Sequence, residues 1–449
     1  MSKQRIQLSD HFTYSRLLRF VLPCIGTMLF TSIYGIVDGL CVSNFVGKTA
    51  FAAVNLIMPL PMLLGTIGFM LGTGGSAIVG ITLGEGDQKK ADRYFTLFLL
   101  AALISVSVLA VLGIVFLRPI AALLGAKGEL LDYAVRYGRI LMVSLPTFAL
   151  QNMFQSFFVT AEKPHLGFWF TVGAGCTNMV LDVLMVGIWG WGVEGAAIAT
   201  FISQLVGGVL PVFYFIDRSN SSRLHLCKTS FYSKVLRDAC INGSSELMTN
   251  LSMSLVNILY NYQLLRLAGE NGVAAYGVIM YAAFLFVAVF VGYAVGSAPI
   301  VSFHYGARNH AEVHNLYRKS LRLIAVVAVT LTLASMFIIP CVARIFVGYD
   351  AELLALTSRA FRLYALSFLI MGFNVYASSF FTALGDGVTS ALISFLRTLA
   401  FQVIAILLLP LLLGIDGIWL AVTAAELAAL AVSAAMLLTK DKVFHYRKV

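Results

Sequence analysis

Charge is scarce in this sequence. Only 12% of its 449 residues are Asp, Glu, Lys or Arg, while 59% are hydrophobic and the mean hydropathy is +0.89. A chain this poor in charge cannot clothe a soluble domain, so that class is excluded. The apolar runs lack the period-two alternation of a membrane β-barrel, which leaves helices as the way to satisfy the backbone in lipid. The six cysteines, Cys24, Cys41, Cys176, Cys227, Cys240 and Cys341, show no C-x-x-C spacing. They read mostly as small buried hydrophobes rather than a redox motif or disulfide frame. There is no G-x-x-x-x-G-K-[ST] loop, so ATP is not the expected energy source. H-E-x-x-H and G-x-S-x-G are also missing, which removes the usual equipment of an intramembrane hydrolase. No cofactor and no resident metal are expected.

What is present is a succession of apolar runs, each long enough to cross a bilayer. Twelve spans are predicted, near 17–42, 50–82, 94–117, 133–158, 166–189 and 193–216, then 238–265, 272–304, 320–347, 353–383, 388–413 and 417–439. The fold class is therefore an all-α polytopic membrane protein. Residues 1–16 read as an amino-terminal tail, mobile to about Asp10, and 440–449 as a carboxy-terminal one. The first span is a full crossing rather than the short apolar core of a cleavable signal, and acts as its own insertion signal.

Lys and Arg resist translocation and so report orientation. Of the 31, 21 fall on the side shared by both termini and the polar stretch 217–237, nine on the other, and Arg397 lies inside a span. Both termini and the linker are expected in the cytoplasm of a cell whose inner (plasma) membrane holds the protein. The net charge of +10 follows from this bias and from anionic lipid, without a nucleic-acid partner.

The chain also repeats. A constant shift of 222 residues brings Gly47 onto Gly269, Ala52 and Ala53 onto Ala274 and Ala275, Gly74 onto Gly296, Gly84 onto Gly306, and Gly192 onto Gly414. Two pseudo-symmetric six-helix lobes, 17–216 and 238–439, joined by the linker, are the architecture this implies. Paired parallel lobes suit a transporter that rocks about a central site.

The places where the repeat fails are informative. Asp38 meets Tyr260, Asn178 meets Ala400, Asp182 meets Ile404 and Thr200 meets Val422. The first lobe alone thus carries two intramembrane acids, an amide and a hydroxyl. Charged groups within a span are costly and usually serve a purpose. Tyr34 and Asp38 share one helical face, as do Asn178 and Asp182. Such oxygen ligands suit a hard cation, or a carboxyl that exchanges a proton. Elsewhere, Glu246 either meets cationic cargo or caps a helix, Arg397 either pairs with Glu426 or lines a cavity, and Glu194 and Asp416 read as structural turn residues.

Together these stretches resemble the multidrug and toxic compound extrusion (MATE) family. The likeness runs from about Leu17 to Lys440. It is carried by Leu22-Pro23 through Asp38-Gly39, Phe45-Val46-Gly47, Gly84-Glu85-Gly86-Asp87, Asn178-x-x-x-Asp182, 192–200 and 414–419. Val183 and Ser245 stand where that family often has proline. The resemblance implies a bacterial-type exporter whose N-lobe ion site is formed by Asp38, Asn178, Asp182 and Thr200, with Tyr34 and Asn152 beside it. The expectation is a monomeric antiporter, driven by Na+ or H+, that exports amphipathic drug-like molecules, cations above all. Tyr34, Asn152, Glu246 and Arg397 are the candidate cavity residues. The rival readings are a flippase for lipid-linked cargo, an intramembrane enzyme and a channel.

Overall fold

The computed structural model describes residues 6–46, 48–348 and 350–447, with side chains at 39–44, 48, 51, 342, 345 and 346 left out. Gly47 and the side chain of Cys41, which the sequence reading used, lie outside this description. Helices follow one another along the whole chain: α1 Tyr14–Phe45, α2 Lys48–Ile57, α3 Pro59–Gly84, α4 Gln88–Leu123, α5 Glu129–Thr160 and α6 Pro164–Asp182. A π-helical turn, Val183–Ile188, leads to α7 Gly192–Gly208 and α8 Leu210–Ile216. After the linker come α9 Ser233–Gly306, α10 His310–Val347, α11 Ala351–Ala365, α12 Phe368–Ala383 and α13 Gly387–Phe395. A second π turn, Leu396–Ala400, then α14 Phe401–Leu413, α15 Ile415–Thr439 and α16 Asp441–Phe444 complete the chain. Among the described residues, 9 helical spans are long and apolar enough to cross a membrane. The pair α11 and α12, bent by 46°, makes a tenth. The 74-residue α9 holds two crossings folded at Gly269 (φ 61°, ψ −151°), and the 32-residue α5, long enough for a crossing but less apolar than those nine, stands in the place of the remaining one.

The internal repeat is written into the backbone. Asp87 caps α4 by accepting from Lys90 N, and at the 222-residue shift Asn309 caps α10 by accepting from Glu312 N. The residues just before these caps, Gly86 and Arg308, both take positive φ, as do Gly192 and Gly414 ahead of the sixth and twelfth crossings. Aromatic nests repeat too. Phe95, Phe154 and Phe158 gather around Phe215, and their counterparts Tyr317, Tyr376 and Phe380 gather with Tyr446.

The halves meet reciprocally. Gly84 sits against the Phe303 carbonyl, and Gly306 against the Ile81 carbonyl, its mate under the same shift. Gly74 abuts Ala239 and Gly243, while Gly296 abuts Val21 and Cys24. Any Cβ at these glycines would collide with the facing helix, so their absence lets the backbones touch. All these approaches lie at the end of the bundle that carries the termini. Toward the opposite end α9 exposes Met253, Leu255, Ile258, Tyr262 and Leu265, α1 exposes Ile33, and α3 exposes Met62.

Two expectations are corrected. Residues 6–13, ahead of α1, are not a loose tail. Leu8 and Phe12 are fully buried, because Leu8 N donates to Glu162 Oε1 (2.9 Å) and Phe12 N to Glu312 Oε1 (2.8 Å), which spans the two halves. The carboxy-terminal residues are likewise packed, with Tyr446 fully buried and its carbonyl 2.9 Å from His314 Nδ1. Of the five cysteines described, Cys24 alone is buried; Cys176 and Cys341 are exposed, since they fall on outward helix faces.

Candidate functional site

Asp38 and Asp182 come from distant parts of the chain and meet. Asp38 lies on α1, and Asp182 is the last residue of α6, followed at once by the π turn that widens the helix there. Such turns recur at functional sites because they shift side chains out of the regular helical phase. The two carboxyl groups are within hydrogen-bonding reach of each other. Asp182 is fully buried, and among the described residues neither of its oxygens, nor Asp38 Oδ1, receives a hydrogen bond from a protein donor. Two adjacent carboxylates without donors are strongly unfavourable in a buried setting unless a proton or cation joins them.

Around the pair, Asn178 lies one turn earlier on α6, buried, with Nδ2 unpartnered. Tyr34 is one turn from Asp38 on α1 and within its electrostatic reach; its ring packs with Phe30 against Gly175 of α6. Thr200 on α7 donates its hydroxyl proton to Ala196 O at 3.0 Å, which leaves the oxygen free to accept a bond or ligate a cation. Gly195 touches Met185 across the α6–α7 hairpin. Equal helical rises of about 1.5 Å per residue from that contact set Thr200 near the height of Asn178 and Asp182.

Sequence reasoning missed Tyr137. It lies on α5, is 1% exposed, and is within electrostatic reach of both Asp38 and Asp182. The signal was available: its repeat mate is Arg359, another polar difference between the halves.

Asn152 does not join the cluster. It is buried on α5 with Nδ2 unpartnered, but fifteen residues beyond Tyr137, about 22 Å along the helix. Glu246 also lies apart, one turn along α9 beyond the contact of Gly243 with Met70. Its carboxylate has no ion-pair partner among the described residues. Arg397 is in the second half, paired with Glu426 at 2.8 Å. Glu194 and Asp416 pair with Arg136 and Arg359 at the helix ends, as structural residues do. A hollow of about 520 Å³ opens in the elbow of α9 around Gly269, lined in part by Tyr262, Leu265 and Glu270, and none of the predicted site residues lines it.

Known proteins are similar to this chain in sequence and fold. The MatE family model matches twice, over residues 23–184 and 247–408, one copy in each half. The multidrug export protein MepA of Staphylococcus saprophyticus subsp. saprophyticus is 21% identical over 436 residues, covering 96% of this chain and 95% of that protein. Among solved structures, a MATE transporter in complex with MaL6 superposes with a TM-score of 0.92 at 22% identity, over 99% of this chain and 100% of the other. An outward-facing multidrug resistance MATE transporter of the MOP superfamily does so at 0.92 and 22% identity, over 99% of each chain. With both halves matched by one family model and the twelve-crossing fold reproduced throughout, this chain belongs to the MatE family and is a MATE-type membrane transporter.

Proposed function

We propose that this multidrug efflux transporter is a cation-coupled antiporter in which Na+ or H+ binds between Asp38 and Asp182 as an amphipathic organic molecule leaves the space between the lobes. The observation that carries the reading is the meeting of the fully buried Asp182 with the half-buried Asp38, three of their oxygens lacking a protein donor among the described residues. An ion or proton entering there draws α1 toward α6, because the unbalanced charges repel until it arrives. Asn178, Thr200, Tyr34 and Tyr137 surround the entering ion. Lobes 17–216 and 238–439 rock about the reciprocal glycine contacts, with the termini and the 217–237 linker in the cytoplasm. In that orientation the closed end is cytoplasmic and the exposed helix ends face outward. Glu246, without an ion-pair partner among the described residues, favours lipophilic cations, since a cation is desolvated at lower cost beside a carboxylate. The same export role is named for the staphylococcal relatives.

The test is export by purified protein in vesicles under an imposed Na+ gradient at matched pH, and separately under a pH gradient without Na+. Asp38→Asn and Asp182→Asn are each expected to abolish gradient-driven export at normal expression. Undiminished export by both variants would falsify the ion site.

A further inference from the structure

The second half lacks the Asp38–Asp182 pair, yet it buries a carboxylate of its own. Glu426 on α15 is fully buried. Its Oε1 accepts from Arg397 Nε at 2.8 Å, and its Oε2 accepts from Asn374 Nδ2 at 2.7 Å. Asn374 Nδ2 also reaches the Glu426 carbonyl (2.9 Å), and Ser433 Oγ donates to Asn374 Oδ1 (2.9 Å). Arg397 is delivered by the π turn Leu396–Ala400. The other groups facing the pair are phenols: Tyr364 on α11 and, behind it, Tyr260 and Tyr276 of α9.

The same three positions in the first half are Asn152, Gly175 and Gln204 under the 222-residue shift. There Asn152 Nδ2 and Gln204 Oε1 have no protein partner, and the rings of Phe30 and Tyr34 close over Gly175. The halves therefore differ in kind. One gathers carboxylates whose oxygens find no donor among the described residues; the other satisfies both oxygens of its fully buried carboxylate, Glu426, from within. A guanidinium stays charged at any physiological pH and, being part of the chain, cannot leave with a transported ion.

We infer that Arg397 is a tethered cation, which gives Glu426 in the second lobe the charge balance that a mobile ion gives the first, so that only the first lobe exchanges an ion in each cycle. This rests on the ion-coupled reading above. It assigns Arg397 a positioning role in setting how many ions couple to export, and it predicts that removing the guanidinium creates a second ion-requiring site at Glu426.

Full-length protein in vesicles, with initial export rate measured against Na+ concentration and against pH, tests this in Arg397→Leu, Arg397→Lys and the double variant Arg397→Leu with Glu426→Gln. The Hill slope for the driving ion is expected to rise from about one toward about two in Arg397→Leu. It should stay at the wild-type value in Arg397→Lys and return to it in the double variant. A purely structural pair would lower expression or rate without changing the slope. An active Arg397→Leu with the wild-type slope, or a double variant that keeps the steeper one, overturns the inference. Should Arg397→Leu fail to fold, binding of radioactive Na+ and proton release by the detergent-solubilised wild type decide. One saturable class, removed by Asp182→Asn, is expected; a residual class that Glu426→Gln removes overturns it. If Asp182→Asn leaves ion dependence intact, the first-lobe ion site fails instead.

Discussion

At the scale of single residues, the difference between a buried polar atom with a partner and one without governs the chemistry. Glu426 and Asp182 are equally buried, yet the first is saturated by Arg397 and Asn374 while the second has two bare oxygens. Tyr137 is the phenol nearest this unsaturated group that sequence reasoning overlooked. Asp182 accepts no hydrogen bond from Tyr137 as it stands, but a phenol that closes on the pair once an ion is bound would contribute about 1.5–3 kcal/mol, the worth of a hydrogen bond to a charged group, and roughly 1.4 kcal/mol is a factor of ten. Tyr137→Phe is therefore expected to raise the half-saturating ion concentration about tenfold or more with maximal export retained. Thr200→Val, which removes a neutral hydroxyl oxygen, should raise it only by a few-fold. Ion titrations of export in vesicles check both, and a larger effect at Thr200 than at Tyr137 would reverse their assigned importance.

At the scale of elements, the stretch before α1 acts as a strap across the closed end. Glu162, in the turn between α5 and α6, holds Leu8 N and also Arg223 of the linker at 2.6 Å. Glu312, in the first turn of α10, holds Phe12 N and His11 Nδ1, and Asn315 and Lys319 both donate to the Phe12 carbonyl. Phe12 itself is buried edge-on against Phe20 and His304. The strap thus ties the first half to the second where the reciprocal glycines meet. Truncating a buried Phe to Ala costs about 3–5 kcal/mol, enough to release it. Ser302 is fully buried beneath this end and faces Gly80. In an otherwise cysteine-free chain carrying Ser302→Cys, Phe12→Ala is expected to speed labelling by a water-soluble thiol reagent several-fold from the strap side. Unchanged labelling would show that the strap does not hold this end shut.

At the scale of the whole molecule, the orientation proposed above rests on the 21 to 9 division of Lys and Arg. Ser221, in the linker and within 2.9 Å of Lys163 Nζ, lies on the expected cytoplasmic side. A Ser221→Cys variant should resist an impermeant thiol reagent in intact cells and react once the cells are opened. Ready labelling from outside would invert the molecule and turn the exposed helix ends toward the cytoplasm.

The sequence by itself determined the solvent, the number of crossings and the duplication. Charge scarcity and run length report burial in lipid directly, and a constant 222-residue shift is a property of the string of residues. It also singled out Asp38, Asn178 and Asp182, because a charged or amide side chain in an apolar span stands out wherever its helix lies. Only the tertiary structure decided which of these meet. Helical periodicity gives a face but not a height relative to a neighbouring helix, and a π turn after Asp182 or a fold at Gly269 changes the phase beyond it. Asn152, which the family resemblance alone set beside the carboxylates, lies about 22 Å along α5 from Tyr137. The strap escaped notice for a related reason: Leu8 and Phe12 stand isolated in a polar stretch, without a period of their own. What buries them is the contour of two six-helix lobes meeting at one end.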